Sequence, residues 1–388
     1  MAEAASGPLA GVRVVELATV LAGPGTGKYL ADFGADVIKV EAPGGDPARR
    51  MGWTGPGEVD SYFWKLFGRN KRVIALDLKA AEGKQALRSL LADADVLIEN
   101  MRPGKLDALG FPAEALLSRN PRLVILKVSG FGQDGPYAQR PGFATIAEAL
   151  SGFSDLLGEP GGPPLLPPIA VTDEVTAIVG AFAVLAALRH AERTGEGQVV
   201  DVNLLESMFQ IMGPLVSAFA HLGYLQPRMV SGIPYTVPRG TYRCADGVFV
   251  AISSSADSVA ARVLALIGLA GDERFATFQA RAANREALEG LVGAWVAARP
   301  SEEVMREFRR VDAAIAPVKN MREVFADEHV QARGMIADVD GVKMQNVVAR
   351  FSKTPGGIRH VGRPFGADTE AVLAELQEAG SAGRKKTV

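Results

Sequence analysis

Apolar residues in the first part of the chain fall into short runs set between glycines, prolines and charges. VRVVEL at 12–17, DVIKVE at 36–41, RVIALDL at 72–78, DVLIEN at 95–100 and LVILKVSG at 123–130 are too short for buried helices and rich in β-branched residues, so each predicts a strand. Helical spacing at 28–33 and 80–91 separates them. Strands alternating with helices predict an α/β domain with a mostly parallel, Rossmann-like doubly wound sheet. The Gly/Pro-dense segment GEPGGPPLLPP (158–168) interrupts this pattern ahead of a long apolar helix at 174–191. After an irregular stretch at 223–239, TYRCADGVFVAI predicts a hairpin turning at Asp246-Gly247. Amphipathic helices follow at 259–269, 285–298 and 302–311, the last with Ser301 as its N-cap. Residues 1–226 and 331–388 thus form an expected large domain, and 227–330 a smaller α+β domain. No internal repeat is visible.

Composition narrows the function classes. Hydrophobic residues make up 48% and charged residues 22%, an ordinary globular balance, and the net charge of −2 points away from nucleic acid. The basic end GRKKTV reads as a solvated tail. Cys244 is the single cysteine, so an internal disulfide and a cysteine zinc cluster are excluded, and it reads as a small buried residue. His190, His221, His329 and His360 show no metal-ligand spacing. The N-terminal segment lacks signal-peptide features, and the apolar stretch at 177–188 is too short to span a bilayer. A cytoplasmic protein that uses no metal and contacts no membrane is expected.

The chemistry is expected in the loops beyond the strands' carboxyl ends, where open parallel sheets bind ligands. LAGPGTG, EAPGGDPARR, ENMRPG and SGFGQDGP occupy these positions. Their glycines let backbone approach a ligand, and Arg49, Arg50, Arg102 and Lys105 bring charge suited to phosphates. GPGTGK is neither a P-loop nor a dinucleotide fingerprint: Ala22 and Tyr29 break the first, Lys28 the second. Asp173 stands just before an apolar helix, at an expected N-cap, where the helix dipole favours the ionised carboxylate. Capping alone would also explain it. Glu174 reads as a first-turn carboxylate.

PLAGVRVVELATVLAGP, FGADVIKVE, NKRVIALDLK, ADVLIENMRPG, LGF, SGFGQDGPY, RPGF, TGEGQVVDVNLLESM and GADTEAVLAEL, in that order, resemble the family III (CaiB/BaiF) coenzyme A transferases. The resemblance spans nearly the whole chain. It implies a Rossmann-like large domain, a small domain, and an interlocked homodimer. It implies CoA transfer from an acyl-CoA to a small carboxylic acid, with no permanently bound cofactor. Asp173 lies 25 residues before Gln198 of the TGEGQ turn, the interval that the family keeps between its nucleophilic aspartate and this turn, so the resemblance makes Asp173 the nucleophile. The CoA contacts implied are Val20, Ala22, Asn70, Lys71, Asn100, Met101 and Arg102. Ala108 stands where some relatives place a CoA-binding arginine, and Lys105 is the nearby substitute. Ala177, four residues after the aspartate, replaces a frequent glycine.

Two other readings share this resemblance. α-Methylacyl-CoA racemases use an equivalent aspartate for proton transfer, with a histidine–aspartate pair in a GHD motif. Gly142-Phe143-Ala144 stands there instead, and Phe143 carries no titratable proton. A non-catalytic CoA-binding paralogue is the second, raised by Ala144 where many transferases hold Asp. Phe143, Tyr235 and residues 253–255 are expected around the acyl pocket. SSSAD at 253–257 lacks the glycine run of formyl-CoA:oxalate transferases.

Overall fold

The computed structural model describes residues 7–384; the start of the N-terminal segment and the end of the basic tail lie outside them. The chain divides into two compact units. One comprises the chain up to Phe153, Leu166–Gly213 and the chain from Gln331, the other Ser154–Leu165 and Pro214–Val330. The break expected at 226/227 therefore falls at Gly213-Pro214, where Gly213 adopts φ +59 and proline withholds an N–H from any continuing helix. Residues 154–165, expected in the large domain, join the second unit. There Arg228 donates to the Asp155 carbonyl and carboxylate, each at 2.8 Å, and to the Gly162 carbonyl.

The main sheet of the first unit has six strands: β1 (Arg13–Glu16), β2 (Asp36–Glu41), β3 (Arg72–Ala75), β4 (Val96–Glu99), β5 (Val124–Ser129) and β6 (Val199–Asn203). All neighbours run parallel, in the order β3-β2-β1-β4-β5-β6. The doubly wound sheet read from the strand–helix alternation is present, with one strand more than that reading named. Successive residues point to opposite faces. Val14, Val37, Val96 and Val124 feed one core, whereas Val15, Ile38, Leu97 and Ile125 feed the other.

Two helices pack together over the first core. The first helix, Ala22–Asp32, begins six residues earlier than its periodicity suggested. Its GPGTG run is no turn: Pro24 sits in the first turn, where no N–H is missed, and the glycines admit the neighbouring helix. A Cβ on Gly25 would lie 2.6 Å from the Ala177 methyl, and one on Gly180 would lie 2.5 Å from Thr26 Oγ1. The long helix, Val171–Thr194, ends at Gly195 with φ +78, a left-handed C-cap. Its 24 residues are long and apolar enough to cross a membrane, unlike the shorter stretch read from the sequence, with a mean hydropathy of 1.8 over 18 residues. It is a core helix: Ala177, Gly180, Val184, Ala187 and Ala191 are buried, against the first helix, β5 and β6.

The outer edge of β3 is closed by the chain's last segment. Asp368 accepts from the Val73 N–H at 2.8 Å and returns its own N–H to the Val73 carbonyl at 2.9 Å. The Thr369 hydroxyl accepts from the Ala75 N–H at 3.0 Å, and the helix Thr369–Arg384 follows.

The second unit is α+β. Strands β7 (Arg239–Arg243), β8 (Phe249–Ser253) and β9 (Ile315–Pro317) form an antiparallel sheet, with Gly247 at φ +83 in the hairpin turn. Val250, Ile252, Val263, Leu288, Val292, Val304 and Phe308 form its core. Ser301 is the first residue of its helix rather than the N-cap; its hydroxyl donates to Asp246 at 2.8 Å. Cys244 is 4% exposed, and burial pushes its thiol up.

Candidate active site

The strand order reverses between β1 and β4, so the loops leaving their carboxyl ends diverge and open a crevice. A cavity of about 360 Å³ occupies it, lined among others by residues 19–22 after β1, 100–103 after β4, 128–130, 138 and 140–145 from β5 onward, and Asp173.

The loop after β1 is held in a strained shape. Val20 adopts φ +69, a left-handed conformation costly for a β-branched residue. Two side chains fix it. Asn100 exchanges two hydrogen bonds with the Thr19 backbone, accepting at 2.9 Å and donating at 2.7 Å. Asp46 accepts from the Val20 N–H at 3.1 Å. Asp46 is itself paired with Lys39 at 2.7 Å; although burial opposes its charge, that ammonium holds its carboxyl below the usual range. Beyond this turn the first helix presents its leading N–H groups, with no side-chain cap at Leu21.

Glu99, at the end of β4, is buried and accepts the Met101 N–H at 2.7 Å, fixing the loop that carries Met101 and Arg102. Burial pushes it up to about 7, against that N–H. On the far wall, a Cβ on Gly130 would lie 2.8 Å from the Gly142 Cα. Only two glycines allow this approach, which sets Phe143 and Ala144 at the cavity. Phe143 is 70% exposed. Arg140 lies 3.8 Å over the Tyr137 ring, giving the cavity a second guanidinium beside Arg102.

Asp173 is in the first turn of the long helix, three residues past the N-cap Ala170, and it caps nothing. The expectation of an N-cap held ionised by the dipole is corrected accordingly. Burial, then the carboxylates of Glu148 and Glu174, push Asp173 up to about 6, because the charged form is desolvated beside like charges. Glu174 belongs elsewhere: it accepts from Tyr29 Oη at 2.8 Å, lies 3.9 Å from Lys28 Nζ, and lines a separate cavity of about 340 Å³.

Val20, Ala22, Asn100, Met101, Arg102 and Asp173 therefore meet in one cavity. Asn70, Lys71 and Lys105 are not among its lining residues. Lys71 is fully buried and donates to Glu16 at 2.8 and 3.1 Å and to the Pro24 carbonyl at 2.7 Å. Asn70 donates to Asp32 at 2.9 Å and to the Gly357 carbonyl at 2.8 Å. Lys71 ties the sheet to the first helix, and Asn70 ties the first helix to the late chain. Lys105 is exposed at the start of a short helical turn. Arg140 and Glu148 went unread as site residues; the RPGF run carried the only sequence signal for Arg140. Among the described residues no three His, Cys, Asp or Glu side chains gather as a metal cage.

A family model described as CoA-transferase family III matches residues 9–369. The chain is 38% identical over 379 residues to a Chloroflexus aurantiacus succinyl-CoA–L-malate CoA-transferase alpha subunit, covering 95% of this chain and 89% of the relative. It is 36% identical over 384 residues to a succinate–glutarate CoA-transferase of Agrobacterium fabrum, covering 95% and 96%. The crystal structure of a CAIB/BAIF family protein from Brucella suis superposes with a TM-score of 0.84 at 35% identity, over 96% of this chain and 100% of that one.

Proposed function

The chain belongs to CoA-transferase family III, and we propose that it moves CoA from an acyl-CoA donor to a free carboxylic acid through covalent intermediates on Asp173. The observation that carries this reading is the placing of Asp173, on a helix's first turn, in the cavity at the sheet's switch point. With its carboxyl at about 6, it is mostly ionised at pH 7 yet more basic than an ordinary aspartate, which suits a nucleophile.

The steps conserve the thioester's energy. A carboxylate oxygen of Asp173 attacks the thioester carbonyl, the C–S bond breaks, and a mixed anhydride and CoA thiolate result. The thiolate attacks the aspartyl carbonyl, forming aspartyl-CoA thioester and releasing the donor acid. The acceptor carboxylate attacks that thioester to give a new anhydride and thiolate. Thiolate attack on the acceptor's acyl carbon then releases acyl-CoA and restores Asp173. The uncapped N–H groups at the start of the first helix, held by the Val20 turn, are suited to stabilising each oxyanion. Val20, Ala22, Asn100, Met101 and Arg102 are the CoA contacts this reading retains. The relatives are named for succinate, malate and glutarate, so short dicarboxylic acids are the first substrates to try, with Arg102 and Arg140 suited to a second carboxylate.

Mass spectrometry of the protein mixed with acyl-CoA tests the mechanism. An aspartyl-CoA adduct on the Asp173 peptide, absent in Asp173→Ala, is expected; an adduct persisting in that variant refutes it. Racemisation is disfavoured by Phe143 in the cavity wall, which holds no proton to give. Bound CoA without adduct or exchange would mark a binding paralogue. We also propose a homodimer in a reducing, cytoplasmic setting. Ile178, Phe182 and Leu185 are 54%, 73% and 43% exposed along one stripe of the long helix, an apolar surface suited to a second copy. Light scattering at monomer mass would refute the dimer.

A further inference from the structure

The short helix Ala144–Leu150 packs against the long helix and buries a carboxylate there: Glu148 is 4% exposed. Its Oε1 accepts from Thr172 Oγ1 at 2.7 Å, and among the described residues it pairs with no cation. Thr172 is fully buried, directly precedes Asp173, and its carbonyl accepts from Thr176 Oγ1 at 2.7 Å. A buried carboxylate without a counterion, beside a second carboxylate facing a cavity, is costly as a packing device alone.

We infer that Glu148 is a positioning residue for the transfer, fixing the first turn of the long helix through Thr172 and strengthening Asp173 as a nucleophile by its neighbouring charge. This rests on the reading of Asp173 as the nucleophile. The other titratable groups on the elements around the long helix are Lys28, Tyr29 and Asp32 on the first helix, Lys127 on β5, Asp201 on β6 and Glu206 on the helix Leu204–Gln210. Arg102 and Arg140 line the cavity itself. Of all these and Glu174, it is Glu148 and then Glu174 that act on Asp173 after burial, and Glu174 is already engaged by Tyr29 and Lys28.

Glu148→Gln keeps the shape and the oxygen that Thr172 binds while removing the charge. The readout is the single-turnover rate of aspartyl-CoA formation between pH 4.5 and 8, followed by mass spectrometry. Wild type at pH 5 runs at about a tenth of its plateau, as a group titrating at about 6 requires. In Glu148→Gln the acid limb moves to lower pH, so that fraction rises. The plateau itself falls, because a less basic carboxylate attacks more weakly. Thr172→Val lowers the plateau and leaves the limb in place. An unmoved limb in a folded Glu148→Gln protein overturns the inference. Should that variant fail to fold, Glu148→Met, with its adaptable side chain, gives the same two-way test. An adduct that survives Asp173→Ala marks instead a failure of the nucleophile reading.

Discussion

Replacing Asp173 by asparagine should make the protein more stable while it silences adduct formation. The side chain keeps its shape and loses a charge that the fold disfavours. Its carboxyl rises from an ordinary 3.8 to about 6, a shift of roughly two pH units at about 1.4 kcal/mol each, so the ionised form costs the folded state about 3 kcal/mol. The folded state holds this proton more tightly than the unfolded chain does. The penalty is therefore absent below pH 4, grows as pH rises through 4 to 6, and is complete at pH 7. Thermal melts of wild type and Asp173→Asn at pH 4, 5, 6 and 7 check this. The variant's advantage should open across that window to roughly 5 °C at pH 7. A difference that ignores pH, or a less stable variant at pH 7, would refute the reasoning.

Lys71→Met should lower stability by about 3 kcal/mol, since Glu16 then keeps only Lys39 at 3.4 Å. CoA affinity by calorimetry should stay unchanged while the protein is folded, because Lys71 does not line the cavity. Asn100→Ala removes both hydrogen bonds to Thr19; thermal melts should show a loss of about 2 kcal/mol, and transfer should slow as the Val20 turn relaxes. Arg102→Ala should weaken acyl-CoA binding about ten- to a hundredfold without changing the melting temperature, with the largest effect at low ionic strength.

The strand–helix rhythm made the doubly wound sheet legible, because buried parallel strands read as uninterrupted apolar runs. β6 was harder to see: its VVDVN alternates exposed and half-buried positions before Val202 and Asn203 turn inward. The start of the first helix was hidden by GPGTG, where glycine and proline signal a turn locally but serve helix contact in the fold. Asp173, Asn100 and Arg102 could be singled out because they stand at element ends. Glu148 could not: its meaning comes from Thr172, 24 residues away. Asn70 and Lys71 mark the opposite limit. A motif shows that residues matter, and only the fold shows their partners: Asp32 and Gly357 for Asn70, Glu16 and Pro24 for Lys71.

The guard on β3 carries a consequence for biosynthesis. Val73 leaves the ribosome 295 residues before Asp368, which closes its edge. At roughly 5–20 residues per second, that strand spends about 15–60 s as an open template for other nascent chains, an aggregation hazard of the kind unpaired edges present. A chaperone that shields it during elongation would raise soluble yield, and ending the message short of Asp368 would leave the edge open for good.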